Sequence, residues 1–214
     1  MNFASGGSAP SKENQPEPSH GLAATDEGQQ DVALMLRVKA GDLEAFETLV
    51  TRHQHSVVGT AAKMLDNAAE AEDIGQQVFV RVWKSAAHYE PSAKFTTWLM
   101  TITRNLVFNE LRRRRRTHLI SIESEQEDAA QHQFADEGAP PPSEKLLDAE
   151  LQETIDAAIA SLPEKQRLAI VLRRYEGMPY EEIAKVLKTS VAAVKSILFR
   201  ARADLKERLK KYLE

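Results

Sequence analysis

The sequence predicts an all-α protein: two small helical domains joined by an acidic, flexible linker. Three observations lead there. Apolar residues recur three and four apart through most of the chain, and no run alternates as a half-buried strand would. A Pro-rich acidic stretch separates two such regions. The charge divides at the same places. Residues 31–116 hold 13 basic and 10 acidic side chains, and residues 151–214 hold 13 and nine; residues 117–150 hold one lysine against nine acids. Two mildly basic bodies are thus joined by an acidic strap. The net charge of −4 over 214 residues conceals a distribution that suits a nucleic-acid partner.

Residues 1–30 are Gly, Ser, Pro, Gln and Glu with almost no large apolar side chain. They bury too little to offset ordering entropy and read as a disordered tail. From Asp31 the texture changes. Val32, Leu34, Met35 and Val38, then Phe46, Leu49 and Val50, recur at helical spacing, broken at Gly41-Asp42, with Asp42 the expected N-cap of the second helix. The helical pattern continues through Val57–Leu65 to a break at Asp66-Asn67.

Glu70 to Trp83 is the next helix. Ile74, Val78 and either Phe79 or Val82 share a face, and Asp73, Gln76, Gln77 and Arg81 point outward. A polar row of nearly balanced charge suits a protein partner better than DNA; a solvated face is the plainer reading. Gly75 costs this helix about 1 kcal/mol against alanine, which close backbone approach would explain.

The segment His88–Thr97 reads as a loop, since Pro91 drives Glu90 from helical dihedrals. Phe95 and Trp98 lead into a helix with Leu99, Ile102 and Leu106 inward, ending in the arginines 112–116. Consecutive residues point all round a helix, so the run is a concentrated positive end that phosphates attract, or a solvated basic tail. Rings beside cations are what single-stranded bases need. Residues 117–145 form the linker, marked by Pro140-Pro141-Pro142 and the acid run.

The second body, 146–214, opens with a helix carrying Leu147, Leu151, Ile155 and Ile159. Ser161 is the expected cap of the next helix, with Pro163 in its first turn and Leu168, Ile170, Val171 and Leu172 as its apolar content. After a break at Gly177 come two short helices separated by Lys188-Thr189-Ser190. The second carries Val191, Val194, Leu198, Ala201 and Leu205 on one stripe, leaving Lys195, Ser196, Phe199, Arg200 and Arg202 on the other face. Cations, a hydroxyl and a ring on an exposed helix suit the DNA major groove. This is a helix-turn-helix pattern, with a surface helical hairpin as the plainer alternative.

The sequence excludes several function classes. No cysteine is present, so disulfides and thiolate metal sites are out and a reducing compartment is expected. No signal-peptide core and no apolar run near the ~20 residues of a membrane span occurs, so a soluble, cytoplasmic protein without membrane insertion is expected. No Gly-rich phosphate loop, Ser-His-Asp set or HExxH is present, so neither catalysis nor a cofactor is expected. A metal-dependent nuclease built on His53, His55, Asp66, Glu70, Glu72 and Asp73 is the enzymatic alternative, but rings two apart on a helix diverge by about 200°.

Taken in order, AEDIGQQVFVRVW (71–83), FTTWLMTITRN (95–105), and LPEKQRLAIVLRRYEGMPYEEIAKVL followed by VAAVKSILFRAR resemble a family. The chain resembles RNA polymerase sigma factors of the sigma-70 superfamily, extracytoplasmic-function (ECF) group, from Asp31 to Leu209. The resemblance implies that 31–116 is sigma region 2 and 146–214 is sigma region 4. It implies core-polymerase docking through Asp73, Gln76, Gln77, Phe79 and Arg81, with Gln77 standing where an acid is usual. For the −10 element it implies Tyr89, Phe95, Trp98, Ile102, Asn105, Asn109, Arg112 and Arg113, with Asn105 reading a flipped base. For the −35 element it implies Lys195, Ser196, Phe199, Arg200 and Arg202. Ile197 stands where arginine is common, and Lys188 where glycine is often found. The implied partners are core RNA polymerase, promoter DNA as duplex and melted strand, and an anti-sigma factor. The acidic strap would thread the polymerase's basic cleft, or act only as a spacer. A stand-alone helix-turn-helix regulator is the other alternative.

Overall fold

The computed structural model describes the backbone of residues 23–124 and 144–210, with side chains at 27–117 and 150–210. Most of the expected tail and the Pro140–Pro142 run lie outside the described residues. Within them every regular element is helical. The helices are α1 (Ala23–Lys39), α2 (Leu43–Leu65), α3 (Ala68–Ser85), α4 (Phe95–Ser124), α5 (Glu144–Ala160), α6 (Glu164–Arg174), α7 (Tyr180–Leu187) and α8 (Val191–Arg208), with a single 3₁₀ turn at Ala86–His88.

Local chemistry sets most of the boundaries. Asp42 caps α2, its Oδ1 accepting from the Ala45 amide at 3.0 Å, and that bond together with Arg37 holds its carboxyl below the usual range. Asp66 ends α2 in the left-handed region, φ 53, and Asn67 then caps α3 by accepting from the Glu70 amide at 3.1 Å. Ser190 caps α8 through the Ala193 amide at 3.1 Å.

Three expectations need correction. Helix α1 begins at Ala23, inside the segment expected as tail. Its second half is anchored by buried Met35 and Val38, and a nucleated helix extends backwards at little cost. Helix α4 runs through the arginines to Ser124, past the expected domain edge at Arg116. Arginine is a good helix former, Glu110 pairs with Arg113 and Arg114, and no Gly or Pro follows until Gly138. Ser161 does not cap α6. Pro163 holds that position, and the Ser161 hydroxyl donates back to the Ala158 carbonyl at 2.7 Å. The hydroxyl thus satisfies an orphan acceptor of α5.

Helices α1 to α4 pack around Leu49, Val57, Ala61, Met64, Val78, Val82 and Leu99; α6 to α8 pack around Leu168, Leu172, Ile183, Val194 and Leu198. Each fully buried aliphatic side chain contributes about 1.5–3 kcal/mol. Gly75 lies where a Cβ would come within 2.6 Å of Val58 Cγ2, so α2 and α3 approach too closely there for a larger residue.

The two bodies are in contact. Helix α6 lies against α2, and α7 against α4. Arg167 donates to the Met64 carbonyl at 2.8 Å while also bonding the Ala160 and Leu162 carbonyls, so one half-buried guanidinium ties the α5–α6 turn to the end of α2. Burial pushes that guanidinium's pKa down. Lys63 pairs with Asp156 at 3.0 Å and sits 4.1 Å over the Tyr175 ring; Arg115 pairs with Glu164 at 3.0 Å.

Candidate functional site

Helix α3 presents its expected outward row. Asp73, Gln76, Gln77 and Arg81 are exposed and converge, with Val80, Lys84 and Leu106 of α4, on a shallow concavity of about 390 Å³. The row has this geometry because Ile74, Val78 and Val82 take the opposite face into the core. Phe79 differs from the other four: it is buried, and it lines a separate groove of about 890 Å³ between α2 and α3. Trp83, 40 % exposed, stands on the same groove, its ring 5.1 Å from Phe46 in an edge-to-face contact. Leu43, Val80 and Trp83 are exposed apolar side chains that periodicity alone did not mark.

The aromatic loop is placed differently from expectation. Tyr89 is 2 % exposed and Phe95 is 0 % exposed, and Ile102 is buried as well. None of the three offers a face to a base in this conformation. The reason is tertiary: α1 and α2 close over the loop, with Lys39 donating to the Tyr89 carbonyl at 3.0 Å and the His53 ring tilted against Phe95, centroids 5.2 Å apart. Tyr89 and Phe95 instead flank Trp98, with ring centroids at 5.1 and 5.9 Å, and so fix the orientation of a half-buried indole. Burial, with the Asp31 charge behind it, raises the Tyr89 phenol's pKa.

Further along α4, Asn105 is half-buried and accepts from Arg104 at 3.0 Å, while Asn109 is exposed and accepts from Arg112 at 3.4 Å. The arginine run is divided in its duties. Arg114 donates to the Leu65 carbonyl at 2.7 Å and pairs with Glu70, which locks α4 to the α2–α3 corner. Arg113 forms a fork with Glu110 at 2.7 and 2.9 Å, and the pairing lowers the glutamate's pKa. Arg112, Arg113, Arg115 and Arg116 remain exposed.

On α8 the face is as its spacing requires. Val194, Leu198 and Ala201 are buried, and Lys195, Ser196, Phe199, Arg200 and Arg202 are exposed, Phe199 to 75 %. Tyr180 of α7 lies under this face: Arg173 stacks on its ring at 5.3 Å, and Arg202 donates to its hydroxyl at 3.5 Å. Ile197 packs partly against the core. Lys188 occupies the left-handed region, φ 52, at the turn. The turn between α7 and α8 thus holds a lysine in a conformation that glycine adopts without cost.

The residues of the nuclease alternative do not converge. His53 bonds Asp31 at 2.8 Å, while His55 is exposed on the opposite side of α2, along the groove against α3. Among the described residues no group of three or more His, Cys, Asp and Glu is arranged to hold a metal ion, and no helix is long and apolar enough to cross a membrane.

Comparison with known proteins matches residues 49–117 to the family model for sigma-70 region 2, and residues 152–205 to that for sigma-70 region 4. The RNA polymerase sigma-H factor of Pseudomonas aeruginosa is 33 % identical over 186 residues, covering 86 % of this chain and 96 % of that protein. The chain belongs to the ECF group of RNA polymerase sigma-70 factors. The ECF sigma-E factor of Escherichia coli is 33 % identical to this sigma factor over 180 residues, covering 80 % of it and 90 % of the relative. Among solved structures, CnrH in complex with the cytosolic domain of CnrY aligns with a TM-score of 0.64 at 25 % identity over 85 % of this chain and 98 % of that one. RpoE in complex with the anti-sigma factor NepR from Bartonella quintana aligns at 0.59 and 26 % identity over 77 % and 96 %. The protein is thus a sigma factor acting in transcription initiation, a family that is not an enzyme class.

Proposed function

We propose that this sigma factor grips core polymerase with α3 and reads promoter DNA with α4 and α8. Helices α1 to α4 form the polymerase- and −10-binding domain, helices α5 to α8 the −35-binding domain, and the acidic segment between α4 and α5 the linker. The row Asp73, Gln76, Gln77 and Arg81 carries the docking, since four side chains around one concavity suit a complementary helical partner. Phe79 supports that row from beneath, where it floors the neighbouring groove. On α4, Asn105 reads an unstacked base, because its amide offers both a donor and an acceptor. Trp98 supplies the stacking ring, and Tyr89, Phe95 and Ile102 set its position. Asn109, Arg112 and Arg113 hold the adjacent backbone, and melting is driven by stacking at about 1–3 kcal/mol per base together with phosphate contacts.

Helix α8 enters the major groove at the −35 element through Lys195, Ser196, Phe199 and Arg200, with Arg202 on phosphate. The exposure of Phe199 carries this part of the reading: a ring that far from any core serves a partner. The protein works in the cytoplasm, without catalytic activity of its own, and an anti-sigma factor of the kind seen with RpoE holds it between uses.

Promoter binding with and without core polymerase tests the proposal. Promoter duplex is expected to bind weakly to the free protein and tightly to its complex with core. Tight, specific binding to a palindromic duplex by the free protein would favour a stand-alone regulator instead.

A further inference from the structure

Arg104 stands on α4 immediately before Asn105, and its side chain is turned onto that neighbour. Its Nη1 donates to the Asn105 Oδ1 at 3.0 Å. The guanidinium also lies over the ring of Phe108, one turn further along the helix, with Cζ 5.2 Å from the ring centroid. Its Nε is buried without a hydrogen-bond partner. Among the described residues, Asn105 is the acceptor that Arg104 bonds. Both side chains are half-buried. A guanidinium set on a ring and enclosed at Nε has few other orientations, so the bond to Asn105 is a fixed feature of α4. Every part of this arrangement belongs to one helix.

That bond decides which end of the Asn105 amide is offered outward. Arginine has donors and no acceptor, so the amide atom facing it is the oxygen. The two N–H groups of Nδ2 are then what remains for a base. An asparagine that reads adenine accepts from N6 with its oxygen and donates to N7 with its nitrogen. Here Arg104 already occupies the oxygen, and its positive charge opposes a second donor brought to the same atom. The adenine mode is therefore disfavoured. A reader that only donates suits a base edge with two neighbouring acceptors. Guanine has one at N7 and O6, and cytosine has one at O2 and N3. Adenine sets its amino group beside its ring acceptors, and thymine sets N3–H between its two carbonyls, so neither has such an edge.

We infer that Arg104 is a positioning residue for −10 recognition: it holds Asn105 as a donor-only reader, which selects against adenine and for a base edge with two neighbouring acceptors. Arg104 acts through the asparagine and does not itself touch the base. The inference rests on the proposed role of Asn105 as the base reader. Asn105 supplies the contact, and Arg104 sets its hydrogen-bonding sense.

Transcription by the holoenzyme from a promoter library randomised across the −10 element tests it, read as the ratio of transcripts for each base at each position. Wild type is expected to favour guanine or cytosine over adenine by about tenfold at one position. Arg104→Ala should bring that ratio to about one, because the freed oxygen then accepts from adenine N6. Arg104→Met, which keeps the length and removes the donors, should act as Arg104→Ala does. Arg104→Lys should keep the preference, since lysine also donates and cannot accept. Asn105→Asp keeps an oxygen for Arg104 and removes both donors, and should abolish the preference. If guanine is the favoured base, a deaza analogue lacking N7 at that position should lower output. Circular dichroism of each variant is expected to show wild-type helix content. A wild type that favours adenine at the position Asn105 controls, or unchanged output with the deaza analogue, would overturn the inference. So would a uniform loss of output in Arg104→Ala with a salt slope lower by about one, which marks a phosphate contact. Where Asn105→Ala flattens the base ratios and Arg104→Ala does not, the inference alone fails. Where neither does, the base-reader role of Asn105 fails with it.

Discussion

Gly75 offers a prediction that the geometry makes quantitative. Alanine in the middle of α3 gains about 1 kcal/mol of helix propensity over glycine. Its Cβ would also stand 2.6 Å from Val58 Cγ2, roughly 1 Å inside ordinary van der Waals contact. Valine is stiff at χ1 and cannot swing that methyl away freely, and overpacking of this kind costs about 1–3 kcal/mol. Gly75→Ala should therefore destabilise the first body by about 1 kcal/mol net, the balance of those two effects. Val58→Ala removes the obstructing methyl. In that background Gly75→Ala should stabilise by about 1 kcal/mol, which gives a coupling of ~2 kcal/mol across the pair. Urea denaturation of the four proteins, followed by circular dichroism, measures this cycle. Equal effects of Gly75→Ala in both backgrounds would refute the claim that the close approach of α2 and α3 selects glycine there.

Lys188→Gly should stabilise the second body by ~0.5–1 kcal/mol, because relief of left-handed strain at φ 52 exceeds the added freedom of the unfolded chain; thermal denaturation reads it. Arg114→Ala should cost about 1–3 kcal/mol of stability, since it strips the Leu65 carbonyl and Glu70 of their donor. Arg112→Ala should leave stability nearly unchanged and lower the salt slope of promoter binding by the holoenzyme by about one. Glu110 has a folded pKa held below its ordinary 4.5, chiefly by its hydrogen bonds from Arg113. Its stabilising contribution is present above that ordinary value and is lost as pH falls through the lower folded one. Glu110→Gln should accordingly flatten the acid limb of a stability profile taken between about pH 6 and pH 3.

The fold was legible wherever the governing interactions were local. Asp42, Asn67 and Ser190 sit at chain breaks beside their helices, and capping acts over three residues. The stripe Val194, Leu198, Ala201 is visible from spacing because one short helix meets one core. Ser161 was misread because the same hydroxyl can cap forward or bond backward, and Pro163 decides for the latter. The outward placement of Asp73, Gln76, Gln77 and Arg81 on α3 was readable for the reason the α8 stripe was. The aromatic loop was not: whether Tyr89 and Phe95 face a base or a core depends on α1 and α2 closing over them, and no periodicity encodes that closure. The bond from Thr97 to Glu182 joins residues 85 apart, a separation over which sequence pattern carries no signal. The same holds for the division of the arginine run, where Arg114 turns inward only because the α2–α3 corner lies beside it.

On the proposed function, this chain directs initiation by melting a promoter through α4, with Asn105 reading the extruded base. In vitro transcription with core polymerase over a promoter library, comparing wild type with Asn105→Ala, measures it most directly. Wild type should give defined transcripts from promoters sharing −10 and −35 elements, and Asn105→Ala should lose output by about tenfold, or a hydrogen bond's worth of ~1.4 kcal/mol, with relaxed preference at one −10 position. An absence of specific transcripts from the wild type, or a variant with unchanged output and unchanged base preference, would contradict the account.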